Sequence, residues 1–307
     1  AVASYITKLV FTDYYNATSS LVVISGVSID RPNDMVIDST STNLYLCTTF
    51  DVIKIPISTG VASKVATTIP DGTKITSLAL DAIGGVYYAG QVFDPFNQPI
   101  TPQQIVYIDN TATLTPVTIT GITLLQVSGI AFDNSGKLYI SETEVPGDDF
   151  AGISVLTFST PTTGTCVRLS LTGSATLYFP DQLAFSPSFN YLYTTSISLV
   201  AGGSYLLRIT IATNVVEVYN GIENQVPLNN PTSVLLDGSN NAYVGNSINN
   251  KIVVIDPNAN ASNVSVTGVV LEGPTGLTYD GTGNMYLVNY NSNTLCKLTF
   301  SDITTAT

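Results

Sequence analysis

One apolar triplet, closed by Asp or Ser and followed six or seven residues later by a tyrosine, occurs six times in this chain of 307 residues. The copies carry short apolar stretches with strand chemistry, separated by turns rich in Gly, Asn and Asp. No long helical period runs anywhere. Together these observations predict an all-β fold: one domain over 1–307, a six-bladed β-propeller of four-stranded antiparallel blades.

The first strands end at 35–38, 78–81, 130–133, 183–186, 234–237 and 277–280, with Asp38, Asp81, Asp133, Ser186, Asp237 and Asp280 as terminators. Such side chains accept backbone N–H bonds and stop a strand. The small middle residues Ala79, Ala131 and Ala184 suit a strand beside a crowded central axis. The tyrosines of the second strands are Tyr45, Tyr87, Tyr139, Tyr193, Tyr243 and Tyr286. Each is expected in the core between layers, with its hydroxyl on a polar partner. Third strands are expected at 52–55, 105–108, 153–156, 205–209, 252–255 and 295–298. Fourth strands are expected at 61–68, 114–120, 165–171, 214–219 and 262–269.

The sixth unit ends after its third strand, so its fourth must come from the N-terminus, where 21–25 fits. That joins both chain ends in one blade and closes the ring. One strand is then left over. Residues 5–13 repeat 294–302, both reading Lys-Leu-x-Phe-[Ser/Thr]-Asp. Either residues 1–19 supply a fifth, outer strand to that blade, or one copy fills the site of a neighbouring subunit by strand exchange. The local strand is the simpler arrangement. The residues that would carry assembly are Ile6, Leu9, Phe11, Leu295, Leu298 and Phe300.

The chain has 22 acidic and 10 basic residues, a net charge of −12, and no His or Trp. No basic cluster exists to neutralise phosphates, which argues against nucleic acid and anionic membrane surfaces. No apolar run is long enough to span a bilayer. Only 10% of residues are charged, well under the usual quarter. A neutral hydroxyl- and amide-rich surface keeps its interactions when carboxylates protonate. The expectation is an extracellular or cell- or virion-surface protein of an acidophile, although a neutral-pH secreted protein of ordinary low charge fits too. The start at Ala1-Val2, without Met, fits signal-peptide cleavage and equally a trimmed chain.

Cys47, Cys166 and Cys296 sit in apolar strand patterns and read as buried free thiols. Cys47 with Cys296 is the pairing to test, since first and last units are neighbours in a ring. Sequons place candidate glycosylation at Asn16, Asn260 and Asn263.

The stretch 242–256, opening Ala242-Tyr243-Val244-Gly245-Asn246, resembles the YVTN repeat of surface-layer-associated proteins. Stretches 129–140 and 276–287 resemble NHL repeats. These resemblances imply the propeller fold and leave function open. A narrower resemblance is to the SMP-30/gluconolactonase group, six-bladed propellers with a calcium or zinc ion in the channel. Arg31-Pro32-Asn33-Asp34 is similar to its Arg-x-Asn-Asp segment, which implies Asn33 as a metal ligand. Pro180-Asp181-Gln182-Leu183 is similar to its Pro-Asn-Gly-Leu segment, with Asp181 where the ligand Asn would stand. The group's acidic ligands from the first and last segments have no counterpart, and Ser77, Ser128, Thr232 and Thr275 at equivalent positions are neutral. Asn33, Asp34 and Asp181 are therefore the candidate metal ligands, with Asp34 and Asp181 expected to face the channel mouth from opposite blades. Both could instead cap strand starts. Two carboxylates and one amide are a thin set for Ca2+.

Other chemistry has little support. Without His there is no Ser-His-Asp or Cys-His machinery. The acidic stretch Glu142, Glu144, Asp148, Asp149 reads as a calcium loop or, more simply, a solvated one. The leading expectation is a non-enzymatic structural or recognition propeller, a subunit of a filament, surface layer or virion exterior that binds other subunits by strand addition, or glycans. The alternatives are an SMP-30-like metal-dependent lactonase or esterase, and a free secreted glycan- or protein-binding propeller.

Overall fold

The computed structural model describes residues 4–13, 16–66, 69–143, 151–197, 203–219, 226–267, 270–280 and 284–300. Strands β1 (Ser4–Asp13) and β2 (Asn16–Ile24) come first. Blade I follows with β3 (Pro32–Ile37), β4 (Asn43–Thr48), β5 (Val52–Pro56) and β6 (Ser63–Lys64). Blade II holds β7 (Thr73–Leu80), β8 (Val86–Val92), β9 (Gln104–Ile108) and β10 (Leu114–Pro116). After β11 (Thr118–Thr120), blade III has β12 (Gln126–Phe132), β13 (Leu138–Thr143), β14 (Gly152–Thr160) and β15 (Thr163–Arg168). After β16 (Thr172–Gly173), blade IV has β17 (Phe179–Phe185), β18 (Tyr191–Ile197), β19 (Ser204–Thr210) and β20 (Val215–Val218). Blade V is β21 (Pro231–Leu236), β22 (Ala242–Asn246), β23 (Lys251–Ile255) and β24 (Ala261–Asn263). After β25 (Ser265–Thr267) come β26 (Pro274–Tyr279), β27 (Asn284–Asn289) and β28 (Thr294–Phe300) of blade VI. No helix occurs among the described residues. The chain is a six-bladed β-propeller, as the repeat predicts.

The strand terminators work as expected. Asp133 Oδ1 accepts from Ser135 N at 2.8 Å and Lys137 N at 2.9 Å. Asp237 Oδ1 does the same with Ser239 N and Asn241 N. In blade IV, Ser186 Oγ accepts from Tyr191 N at 3.1 Å. Each tyrosine of the second strands packs between blades. Tyr87 of blade II lies with Ile130, Leu138 and Cys166 of blade III, and Tyr193 of blade IV lies with Val234 and Val244 of blade V. Burying such a ring stabilises the ring of blades by about 2 kcal/mol each. Tyr45 is half-buried and the other five are buried. The three cysteines are free and buried.

The fourth strands differ from expectation. The stretch 114–120 splits: β10 stays on β9, while β11 crosses to pair in parallel with β15 of the next blade. Residues 262–269 split likewise, with β24 on β23 and β25 on β2. β16 pairs in parallel with β20. These connectors cover N–H and C=O groups that the outer edge of the next blade would otherwise expose.

Blade VI contains the first and last described strands, in the order β25-β2-β1-β28-β27-β26. β1 is therefore not the outermost strand. It runs parallel to β28, with Lys8 opposite Lys297, Leu9 opposite Leu298 and Phe11 opposite Phe300. β2 is antiparallel to β1. It also pairs with β28, Ser19 with Leu298 and Ser20 with Lys297.

Candidate functional site at the channel mouth

The six first strands β3, β7, β12, β17, β21 and β26 line the central channel. Each is bulged at the same place. The register against the second strand shifts between Pro32 and Asp34, Ile75 and Ser77, Val127 and Gly129, Pro180 and Leu183, Pro231 and Ser233, and Pro274 and Leu277. A bulge turns one extra side chain out of the ladder. Here it turns Asn33, Thr76, Ser128, Asp181, Thr232 and Thr275 into one mouth, a cavity of about 680 Å³. The next residue of each strand forms a second layer: Asp34, Ser77, Gly129, Gln182, Ser233 and Gly276.

That second layer closes the channel with hydrogen bonds. Asp34 Oδ1 accepts from Met35 N at 2.7 Å. Its Oδ2 accepts from Ser77 Oγ at 2.6 Å and Leu78 N at 3.0 Å. Ser77 Oγ in turn accepts from Ile130 N at 3.2 Å and from Gln182 Nε2, reaching over from blade IV, at 3.4 Å. Space is short here. A Cβ on Gly129 would stand 2.6 Å from Asp181 O, and one on Gly276 would stand 2.7 Å from Met35 N. Burial pushes the Asp34 carboxyl above the usual carboxylate range, against the pull of Ser77, Leu78, Gln182 and Met35.

The mouth is built differently. Asp181 is half-buried, and its carboxylate accepts no hydrogen bond from the described residues. Burial first, and the nearby Asp34 second, push it up to about 7. Asn33 Nδ2 donates to Ile75 O at 2.7 Å. Thr232 Oγ1 donates to Pro274 O and Thr275 Oγ1 to Pro32 O, both at 3.1 Å.

Of the residues singled out from the sequence, Asn33 and Asp181 meet in the mouth. Asp34 does not: the bulge turns the residue before it outward, so Asp34 points into the second layer. Ser77 belongs there too, and Thr76 takes the mouth position of blade II. Ser128, Thr232 and Thr275 stand where expected. Glu142 is no part of a solvated acidic loop. It is buried in β13, where it accepts from Leu125 N at 2.7 Å and from Ser154 Oγ. Glu144, Asp148 and Asp149 lie outside the described residues. Asn260 sits in an exposed turn, but its Nδ2 donates to Asp256 at 2.9 Å. Asn263 is exposed on β24, and Asn16 opens β2. The sequence reading missed Asn230, Asn250, Tyr290 and Asn291, which complete the mouth from blades V and VI. The Asn-rich turns after the second strands of those blades carried that signal for all but Asn230, which precedes β21.

A hard divalent cation takes six or more oxygens, preferably anionic. The mouth offers one carboxylate, that of Asp181, since Asp34 points into the second layer. No group of three His, Cys, Asp or Glu residues suited to a metal occurs among the described residues. One carboxylate among neutral amide and hydroxyl oxygens is a thin donor set for Ca2+.

No protein-family model matches the chain, and no curated protein does. Solved structures share its fold at low identity. A gluconolactonase from Xanthomonas campestris matches with a TM-score of 0.65 and 12% identity, over 90% of this chain and 88% of that one. A chain of a nidogen/laminin complex matches with a TM-score of 0.62 and 16% identity, over 83% and 88%. A streptogramin B lyase matches with a TM-score of 0.56 and 16% identity, over 91% and 86%. These support the propeller and its NHL-type repeat. They span enzymes and a protein complex, so the fold alone selects neither.

Proposed function

We propose that this chain is a non-enzymatic structural or recognition propeller, a subunit of an extracellular surface assembly that self-associates by strand addition at blade VI. One observation carries the reading. β1 carries the Lys-Leu-x-Phe-[Ser/Thr]-Asp motif of β28 and lies along it in parallel, with Lys8 opposite Lys297 and Leu9 opposite Leu298. A pleated strand has two edges, and β27 holds the other one. The remaining edge of β28 is taken by β1, with β2 beyond it. β1 repeats the β28 motif and pairs with β2 as β28 does, so it can leave its own blade and complete a neighbour's. A head-to-tail exchange of this kind builds filaments where its rotation does not close. The test is the assembly state of the native protein by electron microscopy and light scattering. Filaments or oligomers are expected, and removal of residues 1–13 should give a folded monomer. A strictly monomeric protein at high concentration defeats the proposal.

A second reading has its own support. A carboxylate pushed up to about 7 in the channel mouth is what a general base requires, and one structural neighbour is a gluconolactonase. That reading expects turnover of an aldonolactone that Asp181→Asn abolishes. If lactone hydrolysis stays at the uncatalysed rate, with and without added Ca2+, it fails.

A further inference from the structure

We propose that the channel mouth is a binding site for an organic primary ammonium ion, with Asp181 as its counter-charge. The case rests on how the mouth's hydrogen-bonding groups are spent. Asn33 Nδ2, Thr232 Oγ1 and Thr275 Oγ1 all donate to backbone carbonyls of neighbouring strands. Ser247 Oγ donates to Asn230 O at 2.8 Å and accepts from Asn230 Nδ2 at 2.7 Å. These donors point into the protein, so the side-chain oxygens of Asn33, Thr232 and Thr275 are left with lone pairs for the cavity. Asn250, whose Oδ1 accepts from Gly273 N at 2.7 Å, keeps its amide N–H groups at the exposed edge, where Asn291 also lies.

Among these acceptors stands the Asp181 carboxylate, which accepts from no described residue. No Lys or Arg among the described residues lines the mouth, and Asp34 adds a second carboxyl one layer below. The complement of such a surface carries positive charge and several N–H donors. An alkylammonium has both, with three donors on one atom. A neutral polyol brings no charge to set against Asp181. A hard metal ion would find only one carboxylate in the mouth, and the cavity of about 680 Å³ is sized for an organic ligand. Tyr290, 39% exposed, lines the same cavity and offers a ring face to a cation or its aliphatic body.

The test is calorimetric titration of the full chain at pH 8 and low salt with 1,5-diaminopentane. Its neutral isostere 1,5-pentanediol, and glucose, serve as controls. Saturable binding of the diamine is expected, weakened by added salt, with the two neutral probes silent. Asp181→Asn should weaken the diamine by about tenfold or more, and Tyr290→Leu by a few-fold, each with a cooperative melting transition no lower than the parent's. Tyr290→Leu keeps the test decisive should the Asp181 variant fold poorly. Three results overturn the proposal: no saturable diamine binding, equal binding by pentanediol or glucose, or diamine binding that neither substitution alters.

Discussion

Asp34 and Asp181 occupy neighbouring layers of one channel, and their surroundings are opposite. Asp34 is buried and accepts from two backbone N–H groups and a serine hydroxyl. Asp181, one layer up, accepts nothing from the described residues. In sequence they look alike, each just after a proline: Pro32-Asn33-Asp34 and Pro180-Asp181-Gln182. The bulge sends the first residue after the proline into the mouth and the second into the closing layer. One position of offset therefore separates a carboxylate that holds blades together from one that is free to meet a ligand. The same offset explains why the mouth holds one charge where two were expected.

The sharpest way to break this contrast is to remove each carboxylate in turn. Asp34→Ala leaves the N–H groups of Met35 and Leu78 buried without partners and frees Ser77. An unsatisfied buried donor costs on the order of 1–3 kcal/mol, so a loss of about 3 kcal/mol is expected in urea unfolding. Asp181→Ala removes no acceptor that another described group uses. It should leave stability unchanged or raise it slightly at pH 8. Equal losses at the two sites would show that the layers are not distinct.

Much of this molecule was legible in its residues. The six triplets, their Asp or Ser terminators and the six tyrosines locate every blade, because local turn chemistry and burial both act within a few residues. Closure through the N-terminus followed from counting strands. The connectors β11, β16 and β25 were not legible as parts of the next blade. Their pairing is parallel and between blades, and no local pattern records which edge a connector covers. The channel layers were legible only in part. Pro32, Pro180, Pro231 and Pro274 mark the residue before the mouth position in four blades, but blades II and III put Ile75 and Val127 there. Without the register, Ser77 and Thr76 cannot be told apart, and Asp34 passes for a mouth residue.

The smaller and more discriminating difference between the two carboxylates is in pH. An ordinary aspartate titrates at about 3.9, whereas Asp181 is pushed up to about 7. Between those values the folded chain keeps a proton that the unfolded chain has lost. Stability from this group is therefore full below about pH 4, falls as pH rises, and is gone above about pH 7. Asp34 is shifted in the same direction, so the parent protein should be more stable in weak acid than at pH 8. Asp181→Asn has no carboxyl to titrate at this position. Its melting temperature relative to the parent should rise by roughly 2–4 °C between pH 4 and pH 8, while the slope due to Asp34 remains. Parallel pH profiles for the two proteins would mean that Asp181 is solvated or partnered in solution, and the contrast with Asp34 would disappear.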